Sequence, residues 1–87
     1  MVYLIHFHKK LHHAQHYIGF VEDGGLVKRM IRHRQGIGAR ILVAFNNGGI
    51  KYSVVRLWRE KDRSFERKLK NRKKSWELCP VCKNELL

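Results

Sequence analysis

Eighty-seven residues with 19 Lys+Arg against 7 Asp+Glu carry a formal charge of +12, with six histidines counted as neutral. A chain this short has material for one core, burying about 60–65% of the surface its unfolded form would expose, which excludes a second domain. The positive excess points to partners rather than to fold, with nucleic acid first and an acidic membrane surface a distant second, while 44% hydrophobic content argues against a disordered basic tail.

Residues 2–8 alternate with period two, Val2, Leu4 and His6 on one side and Tyr3, Ile5 and Phe7 on the other. Apolar residues on both sides predict a strand covered on both faces. Lys9 to Gln15 is polar and histidine-rich and predicts a hairpin connection, which makes His16–Val21 an antiparallel neighbour. Asp23-Gly24-Gly25 is a turn signal, with Asp23 placed to cap a helix. In that helix Leu26, Val27, Met30 and Ile31 form one apolar stripe, and Gly36-Ile37-Gly38 ends it. Ala39 to Phe45 fits a short helix or a strand, and Asn46-Asn47-Gly48-Gly49 is the strongest turn signal in the chain.

Ile50–Trp58 reads as a third strand, with Ile50, Tyr52, Val54, Arg56 and Trp58 on one face and Val55 and Leu57 on the other. Asp62 is the candidate N-cap of a basic helix from Arg63 to Lys74, with Phe65 and Leu69 as core contacts at i, i+4. The expected fold is α+β: a small central three-stranded antiparallel sheet flanked by helices over residues 1–74. A C-terminal tail, 75–87, carries Cys79-Pro80-Val81-Cys82.

The longest apolar run, Ile41 to Phe45, falls far short of the roughly 20 residues of a membrane span, and no charged leader opens the sequence. Two cysteines in one Cys-x-x-Cys cannot frame a disulfide scaffold, so a reducing cytoplasm is the expected compartment. Cys79 and Cys82 supply half of a tetrahedral zinc site. His12, His13, His16 or another chain would have to complete it. With no second cysteine pair the motif reads first as a remnant, a free dithiol or a half-site shared in a dimer, and zinc held within one chain is not the expectation. The histidine-rich stretch 9–16 reads as a polar turn ahead of a metal patch.

Cleaving a phosphodiester needs an activated water, charge stabilisation on the phosphoryl group and help for the leaving oxygen. Glu66 is a hard oxygen ligand suited to Mg²⁺. Its plainer reading is an ion pair with Lys70 or Arg63, worth about a few tenths of a kcal/mol. Arg29 offers a planar fork for two phosphate oxygens, and His33 lies one helical turn on; an ordinary solvated basic face accounts for the pair as well. Tyr3 and Tyr17 stand on neighbouring strands, where a nearby cation would lower a phenol's pKa, or where both simply pack. The basic segment Arg56–Lys74 reads as a surface for a nucleic-acid backbone. Arg32, Arg40, Arg67, Lys68, Lys70, Arg72 and Lys73 are the candidate phosphate contacts. No recognition-helix signature or repeated module marks base-specific readout.

Tyr3 in a first strand, Tyr17-Ile18-Gly19 in a second, Arg29-x-x-x-His33 on a helix and Glu66 early in a later helix resemble, in that order, the GIY-YIG nuclease superfamily. His33–Arg40 and Glu66–Lys70 look like its small stand-alone branch, and the resemblance spans residues 2–74. It departs at Met1-Val2-Tyr3, where the tyrosine stands without the preceding glycine and isoleucine. Asn71 also follows Glu66 more closely than the family's asparagine follows its glutamate. What the resemblance implies is an endonuclease acting on DNA with one Mg²⁺ or Mn²⁺ ion, its five side chains converging on one face of the sheet. Tyr3 would help activate the nucleophilic water, Tyr17 orient it, Arg29 steady the transition state, His33 assist and Glu66 hold the metal. Gly19 would permit a close approach or end its strand. The alternative expectation is a non-catalytic basic module that binds DNA or RNA on the same fold.

Overall fold

Strand β1 (Val2–Leu11) is the spine of the molecule, with Val2, Tyr3, Leu4, Ile5 and Phe7 fully shielded from solvent. The computed structural model describes residues 1–11, 14–22, 24–35 and 40–83. Strand β2 (Ala14–Phe20) pairs antiparallel with β1 from Val2↔Phe20 to His6↔His16. Strand β3 (Tyr52–Trp58) pairs antiparallel on the opposite edge, from Val2↔Trp58 to Phe7↔Tyr52. The sheet order is β2-β1-β3, so the strand with apolar residues on both sides is the one that lies in the middle.

Period two along β1 feeds two separate cores. Tyr3, Ile5 and Phe7 meet Met30 of α1 (Leu26–Arg34), Leu42 and Phe45 of α2 (Arg40–Asn47) and Tyr52. The Phe7 and Phe45 rings stack with centroids 3.5 Å apart. On the other face Val2 and Leu4 meet Ile18, Leu69 of α3 (Arg63–Arg72), and Leu78 and Cys79. Leu78 closes a single 3₁₀ turn, Ser75–Leu78, and the Arg56 guanidinium donates to its carbonyl at 3.2 Å. Burying one such leucine is worth about 1.5–3 kcal/mol, so the start of the C-terminal segment is welded to the sheet. The molecule is α+β, a three-stranded antiparallel sheet between helices.

The Ala39–Phe45 ambiguity resolves as helix, α2 beginning at Arg40. Asp62 caps α3, its Oδ1 accepting from the Phe65 N–H at 3.2 Å, and the helix ends at Arg72 with Lys73 in the left-handed region at φ 56°. The N-cap of α1 is Gly25, with no side-chain cap. One face assignment in β3 is corrected. The register slips between Leu4↔Arg56 and Ile5↔Val54, leaving Val55 as the extra residue of a bulge. Tyr52 and Val54 therefore pack with the first core, whereas Trp58, expected on their face, packs with the second. His12, His13, the proposed cap Asp23, and Gly36-Ile37-Gly38-Ala39 lie outside the described residues.

Candidate functional site

Tyr3 sits opposite Gly19 in the β1–β2 ladder. A Cβ at position 19 would stand 2.5 Å from Tyr3 Oη, closer still to Cζ, and 2.9 Å from Tyr17 Cε2. No side chain fits there. The glycine is the floor over which the Tyr3 ring lies, and β2 continues past it to Phe20, so Gly19 serves the close approach rather than ending the strand.

From that seat the Tyr3 hydroxyl reaches His33 of α1, with Oη 3.0 Å from Nε2. His33 is only 1% exposed. Its ring meets Tyr17 edge-on at 6.0 Å, and the two tyrosine rings are 6.2 Å apart, so the three form one aromatic cluster. The Asn46 amide donates to the His33 carbonyl and accepts from Tyr52 Oη at 3.2 Å, which ties the end of α1 to α2 and β3. His33 Nδ1 is buried and makes no hydrogen bond among the described residues.

Charge gathers on the same hydroxyl. Burial is the main reason that the Tyr3 pKa lies well above the ordinary tyrosine value, and Tyr17 raises it further. The Arg29 guanidinium opposes the rise, and the Glu66 carboxylate adds to it least of all. Arg29 from α1 and Glu66 from α3 thus both act on Tyr3. His33 is held below 6.5, first by burial and then by Arg29 and Arg32.

That depression has a definite sign. As pH falls below 6.5 the unfolded chain protonates His33 while the folded chain still resists, so stability is lost. Between about pH 7 and about pH 5, denaturant unfolding of His33→Gln should lose less stability than the wild type. Burial also lowers His6 and His16, which titrate in the same direction in both proteins. Parallel pH curves for the two would refute a buried neutral His33.

Glu66 lies toward the β2 edge of the sheet. Its side chain is 17% exposed and pairs with Lys70 at 3.3 Å, while Lys70 Nζ sits 5.6 Å from the Tyr17 ring centroid. The Glu66–Lys70 side of α3 therefore approaches the tyrosines from beyond β2. The structure brings Tyr3, Tyr17 and His33 into contact around the Tyr3 hydroxyl, while Arg29 and, least of all, Glu66 reach that hydroxyl through their charge. Of the candidate phosphate contacts, Lys70 belongs to this neighbourhood and shares with Lys73 a shallow depression over His16, Tyr17 and Ile18. Arg67 and Lys68 line a different depression on α3 with Arg63 and Asn71. Arg32 and Arg40 are exposed on α1 and α2, and Arg72 pairs with Glu77 at 3.2 Å.

A second cluster lies on the opposite face of β1. His6, His16, Cys79 and Cys82 bring four ligand atoms within 4.8 Å of one another, a group able to hold a metal ion. The half-site expectation is therefore corrected. Pairing of β1 with β2 sets His6 opposite His16, and the buried Leu78-Cys79 step delivers both thiols to them. Of the histidines weighed from the sequence, His16 takes part. His6 was missed, because it reads as an ordinary inward position of a strand. Its only signal is the register that places it beside His16.

No family model matches the chain, and no curated protein or solved structure matches it. No helix among the described residues is long and apolar enough to cross a membrane.

Proposed function

We propose that this chain is a metal-dependent endonuclease that hydrolyses phosphodiester bonds in DNA by GIY-YIG-type chemistry. The observation that carries the reading is the neighbourhood of Tyr3, whose hydroxyl has His33 at 3.0 Å and feels Tyr17, Arg29 and Glu66 together. Strand packing alone does not call for a buried phenol that holds a buried histidine at hydrogen-bond distance and feels the charges of Arg29 and Glu66.

The donor set fits a hard divalent cation. Glu66 offers a partly accessible carboxylate whose ion pair with Lys70 uses one oxygen, and Mg²⁺ favours one or two carboxylates with several retained waters. Glu66 would hold Mg²⁺ or Mn²⁺, which when bound supplies charge neutralisation at a phosphoryl oxygen. The remaining work falls to the chain's own side chains. Tyr3 is shielded from solvent in the free protein, so the attacking water would have to enter with the substrate. Tyr3 keeps its proton at neutral pH, and His33 Nε2 is the place to which that proton would pass as the hydroxyl accepts one from the water. Burial first, and then Arg29 and Arg32, hold His33 neutral in the free protein, and a bound phosphate offsets the arginine charges, making the imidazole a better acceptor. Tyr17, packed beside Tyr3 on the adjacent strand, orients the water. Arg29 grips the phosphate as a two-pronged donor.

The test is cleavage of supercoiled plasmid by the purified chain with Mg²⁺ or Mn²⁺, with and without EDTA. Nicking that needs the metal is expected. Tyr3→Phe, which keeps the ring and removes the hydroxyl, should reduce it by about 10²–10⁴-fold, the range for positioned acid–base groups. A Tyr3→Phe protein that nicks at the wild-type rate sinks the assignment. Exposed cations on α1, α2 and α3 favour one other reading, a nucleic-acid-binding module without catalysis. Its mark would be binding without cleavage, with log K falling by about 0.9 per neutralised phosphate for each unit of log salt on duplex DNA.

A further inference from the structure

We propose that His6, His16, Cys79 and Cys82 form a closed structural zinc site that clamps the C-terminal segment onto the β1–β2 hairpin. It is independent of the nuclease reading, since it lies on the other face of the sheet and shares no residue with the Tyr3 cluster.

The spacing of the ligand atoms is the first argument. A tetrahedron with Zn–N of about 2.0–2.1 Å and Zn–S of about 2.3 Å has ligand-to-ligand edges of about 3.3–3.8 Å. The structure places His6 Nδ1 at 3.3 Å from His16 Nε2, 3.4 Å from Cys79 Sγ and 3.7 Å from Cys82 Sγ. His16 Nε2 lies 3.3 Å from Cys82 Sγ. Four of the six edges thus carry tetrahedral lengths, and the other two lie within 4.8 Å.

The chemistry of the set is the second. Two thiolates and two imidazoles are a zinc donor set; Mg²⁺ and Ca²⁺ take oxygen. Both cysteines are free thiols, and the Cys79 carbonyl accepts from the Lys83 N–H at 3.1 Å, closing the Cys-x-x-Cys turn. Support beyond the ligands is the third. Ser75 Oγ lies 3.2 Å from His16 Nδ1 and can accept a hydrogen bond from its N–H, which leaves Nε2 with its lone pair facing the thiols. Four protein ligands leave no open position, so the site is structural rather than catalytic. Its ligands lie 63–76 residues apart across the two halves of the site, between β1 or β2 and the C-terminal turn. Zinc here closes nearly the whole chain into a loop.

The experiment is metal analysis of the chain purified under reducing conditions, followed by Co²⁺ substitution. Native mass spectrometry should find one zinc per chain, and Co²⁺ should show the intense visible bands of a tetrahedral ion with a thiolate charge-transfer band. Ser75→Ala should weaken metal affinity by about 10–100-fold, and Cys82→Ser, at an exposed ligand, should weaken it further. Zinc should raise the melting temperature of the wild type and not that of Cys82→Ser. A wild-type chain that binds neither ion, an octahedral Co²⁺ spectrum, or Co²⁺ binding unchanged in Cys82→Ser would overturn the proposal. So would a mass lower by the two thiol hydrogens after refolding with zinc, since it would mean that the cysteines pair with each other instead. Should Cys82→Ser fail to fold, the wild-type stoichiometry and Co²⁺ spectrum decide alone.

Discussion

Gly19→Ala should lower stability by about 1–3 kcal/mol, the usual cost of forcing extra atoms into a packed core, and suppress cleavage by about 10²-fold, the effect of an ångström-scale displacement at a reacting group. The new methyl would lie 2.5 Å from Tyr3 Oη, and Tyr3 cannot retreat, because its ring is wholly buried in the first core. Either the ring turns, breaking its 3.0 Å contact with His33, or β2 moves away from β1 where their ladder is most regular. Gly48→Ala is the control. A Cβ there meets nothing nearer than 3.6 Å, so the substitution should be close to neutral, or stabilising by up to about 1 kcal/mol through the unfolded chain. Urea unfolding and plasmid nicking of both variants make the comparison. If Gly19→Ala matches the wild type in both, the seat assigned to Tyr3 is wrong.

The two-faced character of β1 and the Asp62 cap are legible in the residues themselves because each depends on neighbours a few positions apart. Alternation at 2–7 is a local pattern, and an aspartate three residues ahead of the N–H it accepts is a local geometry. The bulge at Val55 is not legible. Val54 and Val55 are both apolar, both faces of the sheet are covered, and one inserted residue leaves no trace in such a pattern. The same limit hid His6. Its partners Cys79 and Cys82 lie 73 and 76 residues away, and only the β1–β2 register together with the buried Leu78-Cys79 step brings them to it. The order of Tyr3, Tyr17, Arg29, His33 and Glu66 carries the family resemblance. That Gly19 is the seat of Tyr3, and that the Tyr3 hydroxyl meets His33 of α1, are facts of packing.

Glu66→Gln should abolish metal-dependent nicking, a loss of about 10³-fold or more if the carboxylate anchors an ion worth several kcal/mol in the transition state. The fold should survive. The ion pair with Lys70 is partly solvent-exposed, and surface pairs of this kind contribute about 0–1 kcal/mol. The value of this variant lies in a conflict of signs. Glu66 pushes the Tyr3 pKa upward, so removing its charge makes the phenolate easier to form. Were tuning of Tyr3 its whole role, Glu66→Gln would cleave faster or shift its rate–pH profile toward lower pH. A carboxylate that holds the metal gives the opposite result, loss of rate at every pH with the requirement for added Mg²⁺ or Mn²⁺ moved far upward. Nicking rates measured across pH and metal concentration separate the two, and a gain of activity in Glu66→Gln would remove the metal from Glu66.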